Sequence, residues 1–77
     1  MNKVRRKALS EISDQIEELR QQLEELKEQE EEYRDNMPEN LQDSARYEKA
    51  DEACDALGDA LSSLEDAMEA IGSAVEG

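Results

Sequence analysis

Apolar residues return along this chain in alternating steps of three and four. The first series is Leu9, Ile12, Ile16, Leu19, Leu23, Leu26, Tyr33 and Met37. The second is Tyr47, Ala50, Cys54, Leu57, Leu61, Leu64, Met68, Ile71 and Val75. This is the heptad spacing of a coiled-coil seam, and it predicts two long helices. Between them lies Asp35-Asn36-Met37-Pro38-Glu39-Asn40-Leu41-Gln42-Asp43-Ser44, which holds the only proline. Pro38 lacks an amide donor and turns Met37 away from helical geometry, so it ends the first helix or forces a new start. Asn36 and Asn40 suit turns. Asp43 or Ser44 suits an N-cap. The expected elements are a helix over about 3–35, a loop over about 36–43, which could hold a turn beginning at Pro38, and a helix over about 44–76.

With Leu9 at heptad position a, Ile16 and Leu23 share that position. Ile12, Leu19, Leu26 and Tyr33 take d. Glu30 is the one break in the a row. The two flanks differ in kind: e holds Ser13, Arg20, Lys27 and Arg34, and g holds Gln15, Gln22 and Gln29. Most of the first helix's acids fall on its outer face. In the second helix Tyr47, Cys54, Leu61, Met68 and Val75 occupy a, and Ala50, Leu57, Leu64 and Ile71 occupy d. Position g is an alanine row, Ala53, Ala60, Ala67 and Ala74, and e includes Gly58 and Gly72. Interior glycine costs a helix about 1 kcal/mol against alanine, so the two glycines suggest close helix approach.

Folding the chain back at Asn40 makes the two patterns match. Tyr33 then meets Tyr47, Leu26 meets Cys54, Leu23 meets Leu57, Leu19 meets Leu61, Ile16 meets Leu64, Ile12 meets Met68 and Leu9 meets Ile71. Glu30 faces small Ala50, where its stem can leave toward water. Two heptad patterns need not share a mirror point with their own connector. The expected fold is therefore all-α: one domain over residues 1–77, an antiparallel helical hairpin of coiled-coil type. The second helix is apolar over a, d and g with small residues at e, wider than one seam needs. That width predicts a homodimer, a four-helix bundle built on Ala53, Gly58, Ala60, Ala67, Gly72 and Ala74.

Charge narrows the function. The 77 residues carry a formal charge of −13. Direct nucleic-acid binding is not expected, because phosphates would be repelled. Lys3, Arg5, Arg6 and Lys7 make a basic N-terminal segment against an acidic remainder. They oppose the first helix's dipole, and the hairpin would set them near Glu69 and Glu76 at the second helix's C-terminal end, where cations are favoured. No apolar signal core follows them, and no apolar run reaches the roughly 20 residues of a membrane span. The expected compartment is a reducing cytoplasm. The single cysteine, Cys54, falls on the seam and reads as a small core hydrophobe.

Catalytic chemistry has no foothold in this pattern. The chain has no histidine. It has no phosphate loop, nucleophile–base pair or calcium loop. Neighbouring acids such as Glu17 and Glu18, Glu24 and Glu25, or Asp51 and Glu52 point apart on a helix and share no site. No enzyme activity, cofactor or metal is expected. The loop and its flanks are the least repetitive part of the chain and hold both tyrosines. Tyr33, Arg34, Met37, Asn40, Leu41, Arg46 and Tyr47 would meet at one tip, a candidate protein-binding site, since Tyr, Met and Arg are favoured interface anchors. Closing the end of the core is the plainer role for the two tyrosines.

The stretch from Asp35 to Glu48, the basic segment Lys3-Val-Arg-Arg-Lys-Ala-Leu9 and the alanine-heptad second helix together resemble small, acidic, two-helix proteins encoded by phages and mobile elements of Gram-positive bacteria. The resemblance spans most of the chain and carries no assigned site residues. It implies an accessory role in a bacterial host cell, of the kind taken by phage-encoded inhibitors of host defence systems. The expected function is a non-enzymatic protein-interaction module. Two alternatives are an acidic nucleic-acid mimic that occupies a basic DNA- or RNA-binding channel, and a purely structural coiled-coil protein.

Overall fold

A computed structural model of the chain describes residues 1–41 and 44–77. Helix α1 spans Lys3–Asp35 and helix α2 spans Ala45–Glu76, with a 3-10 turn over Glu39–Leu41 between them. The helices run antiparallel as a rod with Cα extents of 59 × 15 × 12 Å. The hairpin expected from the heptads is the fold.

Each end of each helix has a local cause. The Asn2 side chain caps α1 by accepting from the Arg5 amide at 2.8 Å. No acid stands in α1's first turn. At the other end the Asn36 amide donates to Glu32 O at 2.9 Å, and the Met37 amide to Arg34 O at 3.3 Å. Pro38 then opens the 3-10 turn, with the Leu41 amide donating to Pro38 O at 2.8 Å. Ser44 caps α2, its Oγ accepting from the Tyr47 amide at 3.2 Å. Asp43, the other candidate cap, lies outside the described residues.

The axial register departs from a mirror at Asn40. A mirror at Asn40 would set Arg34 level with Arg46, Lys27 with Ala53 and Arg20 with Ala60. The contacts fall farther along α2, about five positions beyond those partners: Arg34 Nη1 donates to Asp51 Oδ1 at 2.9 Å. Arg20 Nη1 lies 3.9 Å from Glu65 Oε1. A Cβ placed on Gly58 would lie 3.6 Å from Lys27 Cε. Glu30 and Ala50 line one opening together with Tyr33, Ala45, Arg46 and Lys49.

The rotation of α1 about its own axis differs from the expected seam. Leu9, Ile16 and Leu23 of the a row are half-buried, and so are Ser13, Arg20, Lys27 and Arg34 of the e row. The d row is turned out: Ile12 is 45%, Leu19 56%, Leu26 57% and Tyr33 48% exposed. Leu19–Leu61, Ile12–Met68, Leu26–Cys54 and Tyr33–Tyr47 are therefore not buried layers. Helix α1 has rolled toward its e flank, where Gly58 and Gly72 leave room and Asp51 and Glu65 attract the cations. Long basic side chains lie down there, their stems covering the seam.

Little of the chain is fully enclosed. Met37, Ala50 and Cys54 are the core, all near the loop end. The total exposed surface is 5839 Å². A compact monomer of 8.7 kDa exposes about 4,700 Å², so the hairpin shows ~1,100 Å² more than a globule of its mass.

Candidate functional site

The rolled α1 gives the hairpin two unlike sides. On one side run e and b positions, and they are charged. Arg20 Nε and Nη2 bind Glu17 as a fork at 3.0 and 2.9 Å, while its Nη1 reaches Glu24 at 3.1 Å. Lys27 Nζ donates to Glu31 at 3.1 Å. Arg34 Nε donates to Asp35 at 2.9 Å beside the bond to Asp51. The hydrogen bonds from Arg20, then from Gln21, pull the Glu17 carboxyl from its ordinary 4.5 down to about 2. The same pairings raise the Arg20 and Arg34 guanidinium pKa values further above their usual range.

The opposite side carries α1's d and g rows and α2's g and c rows. Ile12, Leu19, Leu26 and Tyr33 form a straight exposed row, flanked by exposed Gln15, Gln22 and Gln29. Next to it on α2 are half-buried Ala53, Ala60 and Ala67, then exposed Ala56, Ser63 and Ala70. Between Ile12 and Leu26 on α1, and from Ala53 to Ala74 along these rows of α2, the strip holds no charged residue.

The strip ends at the loop tip in an open cleft. Tyr33, Met37, Pro38, Leu41 and Arg46 line it with Gln29, Glu32 and Asn36, enclosing about 500 Å³. A neighbouring opening of about 350 Å³ lies on the other side of Tyr33, against Arg46, Lys49 and Ala50. Tyr33 thus stands as a ridge between two hollows, with Leu41 42% exposed beside it.

The structure brings together four of the seven expected tip residues: Tyr33, Met37, Leu41 and Arg46. Met37 is only 8% exposed, so it forms the floor of the cleft. Arg34 leaves the group, since its guanidinium is held across the other side by Asp51. Asn40 is exposed and Tyr47 half-buried, and neither lines the cleft. Pro38, part of the same loop cluster, forms an apolar wall of the cleft, while Gln29, Glu32 and Asn36 are lining residues the sequence pattern did not single out.

The expected self-association set also divides. Ala53, Ala60, Ala67 and Ala74 belong to the uncharged strip. Gly58 and Gly72 do not, because both sit on the charged side, within the chain's own interhelical groove. A Cβ at Gly58 would make ordinary contact with Lys27, and at Gly72 it would meet nothing within 4 Å. Close backbone approach is not what these glycines serve. The larger members of the strip, Leu19 and Leu26, fall at d, which the heptad pattern puts in the internal seam because a and d rows pair by default in a two-helix coil.

Cys54 is buried, and burial pushes its thiol up, so it stays protonated and apolar at neutral pH. Among the described residues no group of His, Cys, Asp and Glu is gathered to hold a metal ion, and no helix is long and apolar enough to cross a membrane. Lys3, Arg5, Arg6 and Lys7 enter none of the ion pairs among the described residues. The antiparallel fold brings them to the end where α2 stops, the end that carries Glu69 and Glu76.

No protein-family model matches the sequence, and comparison with curated proteins and with solved structures gives no match. The reading of function therefore rests on the site's own chemistry.

Proposed function

We propose that this protein is a non-enzymatic interaction module that binds protein through the uncharged side of its hairpin. One observation carries the reading: the exposed row Ile12, Leu19, Leu26 and Tyr33, which runs without a charge from Ile12 to Leu26 and into the tip cleft. A coiled-coil protein with no binding role would turn its largest aliphatic side chains inward and its arginines out. Here Arg20 and Arg34 lie in the seam while Leu19 and Leu26 face solvent. Exposed apolar surface of this continuity marks a contact face, and a ridge of Tyr33 between two hollows is suited to anchoring.

The strip and the tip would divide the work. The flat strip suits a helical partner laid along it. The tip, with Tyr33, Leu41 and Arg46, suits an apolar side chain next to a carboxylate on a protein target. The resemblance of the loop and the basic segment to small acidic proteins of phages favours a host defence protein as that target, with inhibition by blockade as the outcome. Nucleic-acid mimicry draws on the acid rows alone, and those rows are spent in part on Arg20, Lys27 and Arg34.

The test is capture from host lysate by tagged chains that differ at one place. Replacing Tyr33 and Leu41 with Ser should abolish capture of a salt-resistant target. Replacing Glu18 and Glu25 with Gln, on the outer face, should leave it intact. Capture that tolerates the tip changes and fades with salt, or with the loss of the acids, would transfer the function to the acid rows.

A further inference from the structure

We propose that the strip between Ile12 and Tyr33 is covered by a second copy of this chain, packed antiparallel about a two-fold axis that crosses the helices between Leu19 and Leu26. This rests on the uncharged side being a binding surface and names its occupant. The tips are left free at opposite ends of the dimer.

Area comes first. The hairpin exposes 5839 Å², ~1,100 Å² beyond a compact monomer of its mass. A stable interface removes about 800 Å² from each partner. From Ile12 to Tyr33 the row is about 32 Å long, and two helices side by side are about 20 Å wide, which gives roughly 600 Å² in projection before side-chain relief. One copy's strip is the right size for one interface. Among the described residues only Met37, Ala50 and Cys54 are buried in the single chain, so the hairpin needs that cover to hold an extended core.

Charge selects the occupant. Two copies of a chain at −13 repel through most of their surfaces. The strip is where they do not, because glutamines flank the leucine row and alanines and a serine fill the α2 side. A basic partner would want acids beside the row, and a two-fold axis turns a neutral strip onto itself at no such cost. Shape agrees: a leucine row next to an alanine row can pack large on large and small on small, the layers of a four-helix bundle.

Charge also selects the direction. Copies arranged parallel would put both Lys3–Lys7 segments at one end and both acidic tips at the other. The antiparallel arrangement brings each basic segment over the other copy's tip, where Glu32, Asp35 and Glu39 lie. Lys3, Arg5, Arg6 and Lys7 make no ion pair among the described residues of their own chain. The second copy gives them one.

Light scattering of the purified chain should return twice 8.7 kDa, and Leu19→Asp with Leu26→Asp should return the single mass or unfold. Crosslinking keeps the test open if that variant does not fold. In a Cys54→Ala background, Leu19→Cys and Leu26→Cys chains are mixed, refolded together and oxidised. A disulfide dimer enriched at least tenfold in the mixture over either chain alone is the expected result. Crosslinks in each single variant alone mean a parallel pair and overturn the proposed axis. A folded monomer at all concentrations overturns the second copy. If that monomer still captures a target and loses it with Leu19→Asp and Leu26→Asp, the binding surface stands and its occupant is another protein.

Discussion

The two sides of this hairpin are built from the same heptads and do opposite things. On the charged side α2 offers Gly58 and Gly72, and α1 offers Arg20, Lys27 and Arg34. Long cationic stems settle over small residues and reach Asp51 and Glu65, so this flank closes within the chain. On the other side α1 offers glutamines and α2 offers alanines. Nothing there draws α1 inward, and its leucine row is left in solvent. The choice between e and g for the cations decides which apolar row is internal and which is external. A two-helix coil cannot bury three rows of one helix, so one row must wait for a partner.

Substitutions can break this contrast. The largest difference is expected between Leu61 and Leu19. Leu61→Ala removes a half-buried seam side chain and should cost about 2 kcal/mol or more at any protein concentration. Leu19→Ala should cost as much only where copies associate, and under 1 kcal/mol in dilute solution, where its side chain is largely in water. Urea unfolding at two protein concentrations a hundredfold apart measures both. Equal costs at both concentrations would return Leu19 to the internal seam.

Adding atoms to small residues is the next contrast. Gly58→Ala fits against Lys27 and should stabilise α2 by about 0.5–1 kcal/mol through helix propensity. Ala60→Gln, two residues on but across the helix, should lower the apparent mass without lowering helicity. Thermal melts and sedimentation of the two variants read these effects separately. A Gly58→Ala protein less stable than the parent would mean that the helices approach there more closely than described.

Arg34→Ala tests the charged side directly. Its bond to Asp51 is partly exposed, so the expected loss is about 0.5–1 kcal/mol, shrinking as salt rises. A loss that salt leaves unchanged would assign the effect to the packing of the arginine stem instead.

The smallest effect is in acid. The Glu17 pKa lies near 2 when folded and is 4.5 ordinarily. The unfolded chain therefore takes up the proton first as pH falls. The contribution of this carboxylate is complete above its ordinary value and is lost between there and about pH 2. Carboxyl NMR should find Glu17 still ionised at pH 3, and Arg20→Gln should restore its ordinary titration.

The sequence by itself determined a great deal here. Heptad spacing named both helices, and Pro38 and Ser44 marked the turn, because period and chain connectivity are local properties of the chain. The mirror at Asn40 did not fix the axial register, since Arg34 and Arg20 reach Asp51 and Glu65 about five positions beyond it along α2. Tyr33, Met37, Leu41 and Arg46 were legible as a tip for the same reason: a hairpin must bring the two flanks of its loop together. Rotation about the helix axis was another matter. It depends on whether Arg20, Lys27 and Arg34 find better company across the groove than Ile12, Leu19 and Leu26 do. That is a balance of stem packing, ion pairing and the room left at Gly58 and Gly72. Only the tertiary structure decided it, because every one of those terms lies between residues far apart in sequence.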